Sequence, residues 1–335
     1  RDFCLSRGLG DVYKRQQFER TDWINLNGEW TYTFDFGASG LERGYAGSKG
    51  FDGKIIVPFA PESKLSGVGH TDFIGRIWYQ RTIDIPADWS GRNVMLNFGA
   101  VYYTSEVYVD GRFVGRHFGG STSFSYDITA FVKPGGSHSL VVFATSDLRS
   151  GKQTAGKQSL QYASHSCDYT RTTGIWQTVW MEAVPRHYIE SLRIVPLFDQ
   201  SAVEVMVRCS QPLQCEATVD GRTVPFTSGE PARIPMPDFR AWSPEDPYLY
   251  DLSVTLGEDR VESYFALRSV SVGEDRNGVK RLLLNGKPYF MNGLLDQGWW
   301  PDGLYTAPSD EALAFDVAAA KAMGFNTLRK HVKVE

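Results

Sequence analysis

Residues 282 to 335 constrain the fold more tightly than any other stretch, because they spell out a strand-helix-strand unit. Leu282 to Leu284, an Asn285-Gly286 turn and Lys287 to Phe290 read as a hairpin, since Asn-Gly tolerates the positive φ of a tight type I′ turn. The second arm runs on toward Leu295. Ser309 is placed to cap the following helix, Asp310 and Glu311 favour its positive end, Lys321 its negative end, and Gly324 supplies the stop. Phe325 to Val332 then reads as a second strand. A short strand, a helix and another strand imply parallel pairing through a right-handed crossover, the repeat of a (β/α) barrel or a doubly wound sheet. One such unit cannot bury its own faces.

Upstream, the chain is short strands punctuated by turns. Alternation is visible from Glu29 to Phe34, and Val107 to Val109 lead into an Asp110-Gly111 turn from which Arg112 to Gly115 return. Further strands are expected at Val94 to Phe98, Ser123 to Asp127, Leu140 to Thr145 and Trp176 to Ala183. Eight or more strands with long excursions suit a two-sheet jelly roll over 17–184. Pro185 and Arg186 mark a boundary. Beyond it, strands at Tyr188 to Val195, Ala202 to Arg208, Glu216 to Val219, Arg222 to Phe226, Leu249 to Leu256 and Phe265 to Val272 suit an immunoglobulin-like sandwich over 185–272. Residues 273–335 then hold the strand-helix-strand unit, for which a (β/α) barrel and a doubly wound sheet both stay open at this point. A length of 335 residues suggests two or three domains, and 33 Gly and 16 Pro punctuating a chain that is 42% hydrophobic favour β-rich domains over a helical bundle.

The ordered motifs INLNGEW from Ile24, WYQRTIDIP from Trp78, VYVDGRFVG from Val107, GIWQTVWME from Gly174 and WSPEDPYLYDL from Trp242 precede LNGKP from Leu284 and a Lys321, Gly324-Phe325-Asn326, Arg329 pattern. Together they resemble glycoside hydrolase family 2, the group of β-galactosidases, β-glucuronidases and β-mannosidases, across almost everything after Gln17. The long form DQGWWPDGLYTAPSD from Asp296 resembles one of its bacterial branches. The resemblance implies a sugar-binding jelly roll, a spacer sandwich and, over 273–335, the first strand-helix-strand part of a truncated (β/α)8 catalytic barrel. The expected function is that of an N-terminal fragment of a retaining exo-β-glycosidase acting on terminal β-linked sugars, β-galactosidase-like by preference. A carbohydrate-binding or adhesion module without activity is the alternative. The GFNTLR segment after a capped helix favours the enzyme.

Retaining glycosidases need two carboxyls about 5 to 5.5 Å apart. In the family both are glutamates on later barrel strands, and the acid/base follows an Asn. No such Asn-Glu pair occurs here, and Glu335 falls just beyond strand two, so no catalytic residue is expected in this chain and it is expected to be inactive alone. Arg329 matches the family arginine near the nucleophile. The family histidine follows that arginine by three residues, whereas His331 follows by two and Val332 takes the matching place; a sugar contact and an ordinary structural role stay open for His331. Asp296, Gln297, Trp299 and Trp300 follow strand one on the same face, where aromatic rings beside polar groups suit sugars, or where a Trp simply packs. Asp168, six residues before Gly174, matches an aspartate that some family β-galactosidases send into the sugar site, and Arg171 follows as theirs does. Asp72 stands before Gly75 where they carry an asparagine; turn capping is the ordinary alternative for both acids.

A formal charge of −4 without a basic stripe excludes nucleic acid as an expected partner, and no apolar run approaches the roughly 20 residues of a membrane span. His70, His117, His138, His165 and His187, with Cys4, Cys167, Cys209 and Cys215, show no metal or catalytic spacing, so no metal and no cofactor are expected. Cys209 and Cys215 leave a bridge across a hairpin open. Residues 1–16 lack a secretory signal and fit nothing in the family; they read as a non-native leader on a gene fragment cut at both ends. Compartment stays open between cytoplasm and periplasm or exterior, and a homo-oligomer stays open for the full-length form.

Overall fold

The computed structural model describes residues 17–332; the expected leader, Cys4 and Glu335 lie outside them. The described chain is mainly β, with one α-helix. Its first twelve strands are β1 Trp23–Asn25, β2 Gly28–Phe34, β3 Gly53–Val57, β4 Arg76–Asp84, β5 Asn93–Phe98 and β6 Val101–Tyr102, then β7 Thr104–Val109, β8 Arg112–Phe118, β9 Phe124–Asp127, β10 Ser137–Thr145, β11 Gly174–Ile175 and β12 Val179–Val184. They form a six-stranded sheet ordered β3-β2-β4-β10-β7-β8, a four-stranded sheet ordered β1-β12-β5-β9, and the small ribbon β11-β6. One core joins the two large sheets: Ile77, Tyr79, Val107 and Leu140 from one meet Leu96, Phe98, Val179 and Met181 from the other. The alternate residues of β4 are covered as well, because Trp78 stacks on Phe143 at 4.2 Å beneath Tyr45 and Phe51. A strand buried on both faces reads as a nearly continuous apolar run, which is what Ile77-Trp78-Tyr79 is. The strand expected over Trp176 to Ala183 begins instead at Val179, since Trp176 turns inward and donates from Nε1 to Gly120 O at 2.6 Å.

A second sandwich follows after Val184. Strands β13 Ser191–Leu197 and β14 Ala202–Arg208 pair with β17 Ala232–Pro235, facing β15 Gln214–Val219, β16 Arg222–Thr227, β18 Tyr250–Leu256 and β19 Asp259–Phe265. Val203, Val205 and Ile234 pack against Ala217, Leu252, Val254 and Val261. The strand expected over Phe265 to Val272 is two strands: β19 ends at Phe265, and β20 Val270–Glu274 leaves the sandwich to pair with β21 Lys280–Leu284. The cause is in the alternation of DRVESYF, whose odd positions all point inward, so the sandwich edge is complete before Ala266. Cys209 and Cys215 are free thiols, and burial pushes the Cys215 thiol up to about 11.

Arg20 ties the two sandwiches together. Its guanidinium bonds Glu182 of β12 at 2.9 Å, both oxygens of Asp259 of β19 at 2.8 Å, and Ile189 O at 2.7 Å, all three side chains being buried.

The expected hairpin is present: β21 pairs with β22 Lys287–Pro288 across Asn285 and Gly286, whose φ values are 52° and 74°. Strand β23 Gly293–Asp296 then pairs in parallel with β24 Thr327–Lys330, and α1 Asp310–Ala322 makes the crossover. Ser309 Oγ caps α1 by accepting from Ala312 N at 3.2 Å. Leu295, Phe315, Val317, Met323 and Leu328 of this unit stay exposed.

Candidate functional site

Residues 146–173 form a long excursion between β10 and β11 that crosses one end of the first sandwich. It carries no regular periodicity, so its shape has to come from specific bonds. The central rivet is Arg171, whose side chain is 1% exposed. Its Nη1 donates to Ser159 O and Gln161 O, its Nη2 to Tyr162 O and Thr71 O, and the guanidinium lies 4.0 Å from the centroid of the Phe73 ring. An arginine spent on four carbonyls is a structural clasp: the planar fork organises loop backbone and has little left for a ligand.

Glu62 lies under the same loop. It is buried, accepts from Thr173 N through Oε2 at 3.1 Å, and has no partner at Oε1. Burial pushes its pKa up to about 8, against the pull of Thr173 and Arg171, so the carboxyl is held largely as the neutral acid at neutral pH. Tyr79 beside it is also held protonated, first by burial and then by Glu62.

Beyond Arg171 the loop turns back through His165 and Asp168, whose backbones exchange hydrogen bonds of 3.1 and 2.9 Å. The Asp168 carboxylate is half-exposed, with His165 Nε2 at 3.8 Å. Tyr169 next to it reaches the C-terminal unit: its hydroxyl donates to Gln297 Oε1 at 3.0 Å and its ring stacks on Trp299 at 4.6 Å and 20°. Trp299 meets Tyr305 edge-on, and Tyr305 in turn meets Trp176. Thr306 Oγ1 donates to Trp176 O at 2.6 Å. The strand-helix-strand unit is thereby docked on the first sandwich through an aromatic cluster.

This cluster gathers some of the residues singled out from the sequence and separates others. Gln297 and Trp299 both meet Tyr169, the chain neighbour of Asp168. Asp296 adjoins Gln297 at the end of β23, where its Oδ1 accepts from Gly298 N at 2.8 Å and its Oδ2 pairs with Lys330 Nζ at 3.0 Å. His331 is held beside it by a 2.8 Å bond from its N to Asp296 O. Arg329 sits opposite Leu295 in the register, on the other face from the Asp296 and Lys330 pair, and is exposed. Asp72 follows Thr71, whose carbonyl Arg171 holds, and is exposed, with Oδ1 accepting from Phe73 N at 2.6 Å. Trp299 gives one ring face to Tyr169, so only its remaining surface and Trp300 are left for stacking on a ligand.

Sequence reasoning missed Glu62 and Tyr169. Glu62 had one signal, a lone acid in the apolar run Val57-Pro58-Phe59-Ala60-Pro61. Tyr169 had none, because the partner that gives it meaning is 128 residues away.

Comparison with known proteins agrees with this architecture. The sequence pattern of the glycosyl hydrolases family 2 sugar binding domain matches residues 68–185, and that described as glycosyl hydrolases family 2 matches 199–268. A β-glucuronidase of Canis lupus familiaris is 25% identical over 328 residues, covering 85% of this chain and 50% of that protein. A β-galactosidase of Thermoanaerobacter pseudethanolicus is 25% identical over 306 residues, covering 82% of this chain and 38% of that protein. The crystal structure of Ruminococcus gnavus β-glucuronidase superposes with a TM-score of 0.79 at 18% identity, covering 95% of this chain and 56% of that one. The chain thus spans about half the length or less of the curated relatives it matches. Two family patterns in the expected order and a shared fold over nearly the whole chain lead to one conclusion: the chain belongs to glycoside hydrolase family 2, of which it carries the N-terminal part.

Proposed function

We propose that this chain is the non-catalytic front of a retaining exo-β-glycosidase: a jelly roll over 17–184, an immunoglobulin-like sandwich over 185–272, and from 273 the opening of a (β/α)8 barrel whose two glutamates lie in sequence beyond it. The observation that carries the reading is the parallel β23-α1-β24 unit, docked through Trp299 onto the loop that presents Asp168 and through Tyr305 and Thr306 onto Trp176. Barrel enzymes assemble their sites at the C-terminal ends of the strands, which is where Asp296, Gln297 and His331 stand. In this reading Asp168 and Gln297 hydrogen-bond hydroxyls of a terminal sugar, Trp299 bounds the pocket, and Arg329 faces the barrel interior toward the nucleophile. The exposed Arg329 and Leu295 are the side chains that later strands would cover. Asp72, beyond Arg171, takes a place at the rim.

A β-galactoside preference is favoured by the matched position of Asp168, while Asp72 replaces an asparagine of those enzymes and both β-glucuronidases and a β-galactosidase are among the relatives. The test compares the chain with a form extended through a complete barrel on aryl β-galactoside, β-glucuronide and β-mannoside. Turnover is expected only from the extended form. In that form Asp168→Ala should lower kcat/KM at least about tenfold with an unchanged melting temperature, since a lost hydrogen bond to a charged group is worth about 1.5–3 kcal/mol. Hydrolysis by the chain alone, or unchanged kinetics in the Asp168 variant, would overturn the corresponding part of the proposal. Sugar binding without turnover in the extended form would favour the binding-module alternative.

A further inference from the structure

The same end of the first sandwich holds a second concavity, a cleft of about 660 Å³ on the Phe73 side of the Arg171 clasp. Main-chain bonds fix its walls: Ser146 N to Gly75 O and Tyr103 N to Thr145 O are both 3.1 Å, and Gly119 N donates to Tyr103 O at 3.1 Å. The 146–153 wall is braced further by Ser150 Oγ to Asp147 O at 2.7 Å and by Gln153, which accepts from Asp147 N and donates to Ser146 Oγ. Buried Leu148 anchors that wall. A cleft built this way is preorganised and loses little entropy on binding.

Its chemistry runs against that of the whole chain, which is net acidic. Arg76, Arg149 and Lys152 line it, all exposed, and none makes an ion pair among the described residues; Asp147 is the acid on the lining. Arg149 is held 3.7 Å from the centroid of the Phe73 ring, a contact that engages the guanidinium through its π face and leaves its N–H donors uncommitted. Phe118 is also on the lining, 64% exposed. Arg76 also helps hold the Asp35 carboxyl down, whereas Arg149 and Lys152 keep their donors for a ligand. Cations beside an exposed aromatic face are what an anionic sugar needs, because a planar carboxylate or a sulfate accepts the guanidinium fork while the C–H face of the ring lies on the aromatic side chain.

We propose that this cleft is an accessory subsite for an anionic saccharide, a sugar bearing a carboxylate or a sulfate, gripped by Arg149, Arg76 and Lys152 with its ring against Phe118. The saccharide half rests on the proposed function; the anion half rests on the cleft itself. The test titrates the purified chain, at low salt, with D-glucuronate, galactose 6-sulfate, glucose, galactose and inorganic sulfate, following heat and backbone amide shifts. Both charged sugars should bind at least tenfold more tightly than the neutral ones, with shifts centred on 73–76 and 145–153. The double variant Arg149→Ala/Lys152→Ala should lose that advantage, and a conservative Arg149→Lys should restore part of it, with melting temperatures unchanged. The better of the two charged sugars identifies the anion. Neutral sugars binding equally well, sulfate alone binding as tightly as the charged sugars, or no binding by any probe would each overturn the inference. None of these outcomes bears on turnover by the extended enzyme, so failure here and failure of the proposed activity are distinguishable.

Discussion

Glu62 shows how one buried side chain couples folding to pH. Its ordinary value is 4.5 and its folded value about 8, raised by burial. Below 4.5 the acid is neutral in both states. Between 4.5 and 8 the unfolded chain releases the proton while the folded chain keeps it, so stability falls as pH rises through that window and levels off above it, by on the order of a few kcal/mol. Glu62→Gln keeps the shape and the acceptor for Thr173 N but cannot ionise. Urea midpoints of the two proteins should therefore agree near pH 4 and diverge by pH 8, with the variant the more stable; parallel curves would show that Glu62 is solvated. At this scale the sequence was partly legible. Asp168 could be singled out as a candidate because it lies six residues before Gly174, whereas the meaning of Glu62, Tyr169 and Arg171 depends on partners brought in from elsewhere in the chain.

At the scale of elements, local chemistry was the readable part. The Asn285-Gly286 turn, the Ser309 cap and the parallel crossover all follow from residues close in sequence, and all are present. What misled was the join between two elements: Phe265 to Val272 reads as one strand because β-formers stand at both ends, yet β19 had already closed the sandwich edge at Phe265, and Val270 and Val272 are exposed on a separate strand. The ribbon β11-β6 is a case where a single residue decides an element. Gly174 pairs with Tyr102 at φ 74°, and a methyl group there would collide with the Tyr79 hydroxyl. Gly174→Ala therefore combines left-handed strain with overpacking, each about 1–3 kcal/mol. A loss on the order of 3 kcal/mol is expected in urea unfolding, accompanied by faster amide exchange across 158–173, the loop this ribbon anchors. Exchange confined to 174 itself would show that the loop is held by Arg171 alone.

At the scale of the whole molecule, two junctions differ in kind. Between the sandwiches, Arg20 is buried with Glu182 and Asp259, and a buried cation with two carboxylates resists separation because removing any member strands a charge. Between the first sandwich and the C-terminal unit, the junction is small and aromatic: Tyr305, Thr306 and Ala307 are buried, while α1 buries only Ala320. A helix with one buried residue draws little from packing, and a two-stranded parallel sheet beside it has bare faces; isolated helices of about this length are marginal in water. Protection within 293–332 should accordingly be uneven. Amide exchange should be slow at Thr306 and its neighbours, comparable to the sandwich cores, and fast through 310–322 and 327–330, with protease cutting the chain there first. Extending the chain through a complete barrel should slow exchange in α1 and β24 by orders of magnitude, since each new neighbour covers apolar surface now exposed at Phe315, Val317 and Leu328. Core-like protection of α1 in the chain as it stands would mean that the unit is self-sufficient, and would remove the physical argument that it is the opening of a barrel.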